Sequence, residues 1–193
     1  MRGSNCCVAI GRSECRVTCC SSLQTIHPRY LLMPPITYLN GDATNPSTPG
    51  PKVIAHICND VGGWGKGFVL AISNRWREPE RQYRLWFVNR ESNDFALGSV
   101  QFVEVDPNIW IANMIAQHKI KRGSDGVPPI RYDAVKSCLG LLSQFAAEHN
   151  ATIHMPRIGC GLAGGSWDKI EPLIEQTCGV VQVPVFVYDF APS

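Results

Sequence analysis

The clearest chemical content of the sequence lies in two clusters of glycine. In Met155-Pro156-Arg157-Ile158-Gly159-Cys160-Gly161-Leu162-Ala163-Gly164-Gly165, four glycines follow a strand-like run and precede a helix-like one. Glycine lets the backbone come close to an anion with its N–H groups turned inward, and the N-terminus of the following helix adds partial positive charge. Hydrogen bonds to a charged group contribute about 1.5–3 kcal/mol each, so a few amides can hold a phosphate without a lysine cluster. A side chain at Gly159 is expected to fill such a cradle. The earlier cluster, Cys58-Asn59-Asp60-Val61-Gly62-Gly63-Trp64-Gly65-Lys66-Gly67-Phe68, also leaves a buried strand and opens a helix. Two such loops can converge on one diphosphate, with Asn59 and Asp60 reaching ribose hydroxyls and Trp64 covering the ligand. The competing reading is structural: glycine turns shaped for packing, and Asn59 and Asp60 capping the backbone of a turn.

Two nucleotide motifs come close to these loops. Gly159-Cys160-Gly161-Leu162-Ala163-Gly164 fits the G-x-G-x-x-G dinucleotide fingerprint, with Asp189 at the end of the next strand. An NAD-dependent oxidoreductase is therefore an alternative, but only four residues follow Asp189, where that fold needs further strand-helix units. The first loop is not a Walker A motif, because Gly67 stands where Ser or Thr must follow Gly-Lys.

Strands and helices must alternate to position these loops. Ile36 to Leu39 reads as a short strand and Val53 to Cys58 as a central strand buried on both faces. Phe68, Ala71, Ile72 and Trp76 recur at helical spacing, and a second helical piece runs from Glu80 to Val88. Ser99 to Val105 and Ile109 to Ile115 are strands joined by a turn at Asp106-Pro107-Asn108. Val135, Leu139, Leu142 and Phe145 form one stripe of a helix from Tyr132 to Glu148. A strand from Ala151 to Met155, a helix from Ser166 to Thr177 and a strand from Val183 to Tyr188 complete the chain, with Pro172 either kinking that helix or marking a later start. The pattern predicts an α/β fold, a three-layer α/β/α sandwich on a mixed central sheet.

Charge divides the 193 residues near Pro35. Four of the 18 Lys and Arg residues and one of the 16 acids precede it, leaving 14 bases against 15 acids in the rest. So balanced a body has no broad basic face for a nucleic-acid backbone, and favours a small phosphorylated ligand held by local geometry. Five of the nine cysteines crowd the first 20 residues, without a secretory signal before them. A reducing compartment is expected. Residues 1–35 read as a disordered extension, with an organelle transit peptide as the alternative, and zinc is disfavoured by the adjacent pairs Cys6-Cys7 and Cys19-Cys20. No apolar run reaches the roughly 18 residues of a membrane span. A cytoplasmic monomer without metal or cofactor is the resulting expectation.

Taken together, Thr37-Tyr38-Leu39-Asn40-Gly41-Asp42, His56-Ile57-Cys58-Asn59, Gly63-Trp64-Gly65-Lys66-Gly67, Ala116-Gln117-His118 and Met155 to Leu162 resemble the macrodomain family over Ile36 to Phe190. The branch it is similar to contains terminal ADP-ribose hydrolases, the macrodomain of the ALC1 chromatin remodeller and the yeast ADP-ribose-1″-phosphate phosphatase. The resemblance implies residues 36–193 as one macrodomain that binds ADP-ribose, free or attached to protein or nucleic acid. It implies that Asp42, beside Ala43, accepts from the adenine amino group and that Ile158, Gly159, Cys160, Gly161, Leu162, Ala163 and Gly164 hold the diphosphate. Gly65, Lys66, Gly67 and Phe68 would line the distal side, and Tyr188 or Phe190 would stack on adenine. Gln117 and Ala163 occupy the positions of the hydrolases' catalytic lysine and aspartate, and neither can form the adduct or act as base. His56 matches a histidine of the phosphatase-like branch. With Asn59, Asp60, Lys66 and His118 it forms a second catalytic candidate, set against the reading of His56 as a satisfied core residue and of His118, Lys119, Lys121 and Arg122 as a solvated rim.

Overall fold

A computed structural model describes residues 36–124 and 126–189. The expected extension, residues 1–35, and Phe190 lie outside the described residues. Six strands and four helices follow in the order β1 (Thr37–Asn40), β2 (Lys52–Asn59), α1 (Phe68–Arg75), α2 (Glu78–Val88), β3 (Val100–Asp106), β4 (Ile109–Gln117), α3 (Tyr132–Glu148), β5 (Thr152–Pro156), α4 (Trp167–Cys178) and β6 (Val185–Asp189). The sheet order is β1-β6-β5-β2-β4-β3. Every neighbouring pair is parallel except β3 and β4, which form the antiparallel hairpin expected around Pro107. Its turn closes through Asn108 in the left-handed region, φ 63°, which asparagine tolerates better than most residues.

Alternation along β2 explains the three layers. Val53 and Ala55 face a core built with α3 and α4, around Leu139, Leu142, Ile170 and Ile174. Ile54 and Cys58 face a second core, under α1 and α2, filled by Ile72, Tyr83, Trp86 and Phe95. A strand covered on both faces has no polar alternation, which is why its sequence is an almost unbroken apolar run. The exceptions are polar residues that satisfy one another. His56 Nε2 lies 2.7 Å from Asn113 Oδ1 on the neighbouring strand. Asn113 Nδ2 donates in turn to Gln101 Oε1, 3.1 Å, and to the Pro79 carbonyl of α2, 3.2 Å.

α4 continues through Pro172 from Trp167 to Cys178, so the later start is excluded. No helix among the described residues is long and apolar enough to cross a membrane.

Candidate functional site

In the parallel part of the sheet, strands run the same way, so the segments after β2, β4 and β5 emerge at one edge, where open α/β sheets bind ligands. There the two glycine loops face one cavity of about 810 Å³, large enough for a nucleotide-sized molecule. Its walls include His56, Asn59, Gly65, Lys66, Gly67, Phe68, Gln117, Ile158, Gly159, Gly161, Leu162 and Ala163. Both loops contribute to its wall. In the first loop the N–H groups of Gly65, Lys66 and Gly67 meet no acceptor among the described residues, and in the second the same holds for Gly161, Leu162 and Ala163. These are the groups an anion would satisfy. Among the described residues the charged members of the lining are Lys66, Lys121 and Arg157, and the lining includes no Asp or Glu. Arg157 is largely neutralised by Asp189, at 2.6 and 2.8 Å.

The individual glycines divide the work differently from expectation. Gly159 adopts φ +72°, and a Cβ there would meet the Cδ1 atoms of Ile130, Ile170 and Ile57 at 2.9, 3.0 and 3.2 Å. Its bare side therefore faces core methyls, and a side chain would strike packing before it filled the cradle. Gly161 is the open position: nothing lies within 4 Å of a Cβ built on it.

The polar residues expected to touch a ligand or move protons are mostly engaged with the protein itself. Asn59 Oδ1 accepts from the N–H groups of Val61 and Gly63, and its Nδ2 donates to the Gly63 carbonyl at 2.7 Å. Asp60 lies outside the lining, with one oxygen 2.6 Å from His118 Nδ1 and the other accepting the Lys119 N–H. Thus the turn-capping reading describes Asn59, while Asp60 ties the first loop to the segment that follows β4. Gln117 Nε2 donates to the Lys119 carbonyl, 2.8 Å. His56 reaches the cavity wall, but its ring is 2% exposed, bonded to Asn113 and set edge-on to Trp64 at 5.3 Å. Burial pushes its pKa down to about 4, which keeps it neutral and a weak base at pH 7. Among the described residues Lys66 has no side-chain hydrogen bond or ion pair and stands exposed at the mouth.

Several expected ligand residues do not line the cavity: Asp42, Ala43, Cys160, Gly164 and Tyr188. The Asp42 carboxylate accepts from the Thr44 N–H and hydroxyl, both at 2.8 Å. Tyr188 is 7% exposed with its hydroxyl 3.0 Å from His154 Nδ1, the position of a core aromatic. Conversely, Ile120 and Lys121, on a segment whose basic residues the sequence reads as a solvated rim, belong to the wall, as does Val69. Helical spacing marked the start of α1, but nothing periodic singled out residues 118–122.

No protein-family model matches the chain. A solved macrodomain protein from Streptomyces coelicolor is 53% identical and superposes with a TM-score of 0.73, over 81% of this chain and all of that one. The chain belongs to the macrodomain family. It is also similar to mouse chromodomain-helicase-DNA-binding protein 1-like, 29% identical over 82% of this chain, although it spans only 18% of that protein's length. A Candida albicans ADP-ribose 1″-phosphate phosphatase is 25% identical over 73% of this chain and 92% of its own.

Proposed function

We propose that the cavity binds ADP-ribose, either free or carried on an ADP-ribosylated protein or nucleic acid. The observation that carries this reading is the convergence, among the described residues, of two sets of unpartnered backbone amides on a cavity whose charged lining residues are all cationic. A diphosphate supplies the acceptors these amides lack, and the apolar walls of Phe68, Val69, Ile120 and Leu162 suit the faces of a sugar. Similarity to ADP-ribose-1″-phosphate phosphatases supports the same ligand class.

Recognition without turnover is the reading the side chains favour. Among the described residues no carboxylate lines the cavity, Ala163 offers a methyl group, and the His56 and Asn59 side chains are committed to internal hydrogen bonds. Titration calorimetry with ADP-ribose, AMP and NAD tests binding: affinity for ADP-ribose weaker than about millimolar would end the proposal. Incubation with ADP-ribose-1″-phosphate and with ADP-ribosylated protein or DNA tests the second part. Catalytic release of phosphate or ADP-ribose would replace recognition with hydrolysis.

A further inference from the structure

The second glycine loop leaves β5 at Arg157 and enters α4 at Trp167, and these two end residues touch. The Arg157 guanidinium lies 5.2 Å from the Trp167 ring and 5.0 Å from the Tyr38 ring of β1, while its nitrogens reach both carboxylate oxygens of Asp189 at the end of β6. Trp167 Nε1 donates to the Tyr38 hydroxyl at 3.0 Å, and that hydroxyl donates to Glu171, one turn further along α4. Side chains from β1, β6, α4 and the foot of the loop thus form one closed network. It is not a core feature: Tyr38 is 40% exposed, and the Arg157 and Asp189 side chains are 38% and 44% exposed. Exposed ion pairs contribute little to global stability, so five residues ordered in this way at the surface call for another explanation.

The geometry points to Arg157 as a positioning residue that clips the loop shut at its base and pre-forms the amides of Gly161, Leu162 and Ala163 for the ligand's diphosphate. This rests on the proposed ADP-ribose reading. Arginine suits the task because its planar fork bonds a carboxylate through two nitrogens while its faces stack on aromatic rings. Holding residues 158–166 in the bound form before the ligand arrives removes an ordering cost that binding would otherwise bear. Arg157 also lines the cavity, so a direct charge contact with the phosphates is the rival explanation. The two make opposite predictions for its partners.

The experiment measures ADP-ribose and adenosine affinities, by calorimetry and NMR titration, for the wild type and for Arg157→Lys, Asp189→Asn and Trp167→Leu, with backbone ¹⁵N relaxation of each free protein. The clip predicts that all three variants lose about tenfold in ADP-ribose affinity but less than about twofold for adenosine. It also predicts raised ps–ns mobility at residues 159–164 without ligand. A direct charge role predicts that Arg157→Lys binds nearly as well as wild type and that Asp189→Asn binds better, by removing a negative charge; that pattern would overturn the inference. Equal losses for both ligands would reduce the network to a general structural role and overturn it too. Should the wild type itself fail to bind ADP-ribose, the ligand reading falls, while the relaxation data still decide whether the network holds the loop.

Discussion

Gly159 and Gly161 stand two residues apart in one loop, yet the structure assigns them opposite failures. At Gly159, alanine meets two obstacles. A non-glycine residue held at φ +72° costs about 1–2 kcal/mol, and forcing a methyl against three isoleucine Cδ1 atoms at 2.9–3.2 Å adds a further ~1–2 kcal/mol. For a chain of this size each kcal/mol lowers Tm by roughly 2–4 °C, so Gly159→Ala should melt about 4–16 °C below wild type. Gly161→Ala should melt with wild type and bind nearly as well, because a Cβ there meets nothing within 4 Å. Gly161→Glu adds a carboxylate at the diphosphate site instead. One unit of like charge at ~5 Å and an effective dielectric near 20 costs about 3 kcal/mol, or roughly 100-fold in affinity. Circular dichroism melting and calorimetry with ADP-ribose read the two effects separately. A Gly159→Ala protein as stable as wild type, or a folded Gly161→Glu protein within about tenfold of wild-type affinity, would refute this assignment of the two faces of the loop.

Other expectations follow from the same geometry. The buried His56 and His154 rings have pKa values pushed down to about 4, chiefly by burial, against an ordinary value of 6.5. As pH falls, the unfolded chain takes up these protons first, so their contribution is complete above pH 6.5 and lost between 6.5 and 4, at ~3 kcal/mol per ring. Urea unfolding across that window should show stability falling, and a flat profile would contradict it. Asn113→Leu strips partners from His56 and Gln101 and should cost about 2–6 kcal/mol in the same assay, since each of the two orphaned groups costs about 1–3. Lys66→Ala and Lys121→Ala should each weaken ADP-ribose binding by roughly 3–10-fold and flatten its dependence on salt. Salt titrations identical to wild type would place both ammonium groups away from the ligand.

Periodic features were legible in the sequence; the destinations of side chains were not. The stripe of Val135, Leu139, Leu142 and Phe145 marked a helix from Tyr132 to Glu148, and the structure has those bounds, because packing of that face onto the sheet is what makes the helix. The hairpin at Pro107 was equally readable from its turn chemistry. The two loops were visible as glycine clusters, but which way each glycine's bare side faced depends on φ and on isoleucines far away in the chain, such as Ile57 and Ile130. Asn59 and Asp60 were ambiguous for a different reason: a strand-end carboxamide or carboxylate binds backbone N–H groups and ligand hydroxyls with the same atoms. Ile120 and Lys121 were missed because a wall residue on an irregular segment has no period to betray it.

The hydrogen-bonded row of His56, Asn113 and Gln101 has a consequence for how the sheet assembles. These three residues sit directly opposite one another on β2, β4 and β3. If either neighbouring strand slipped by one residue, its polar side chain would swing to the other face and leave buried partners unsatisfied, at about 1–3 kcal/mol for each group. Apolar side chains along the same strands discriminate far less, since one branched residue replaces another at modest cost. The row therefore works as a proofreading mark during folding: misaligned pairings are penalised where greasy contacts alone would accept them. It holds β2 and β4 in register as far as Cys58 and Ile115, and a bulge just beyond then sets Asn59 opposite Gln117 at the cavity.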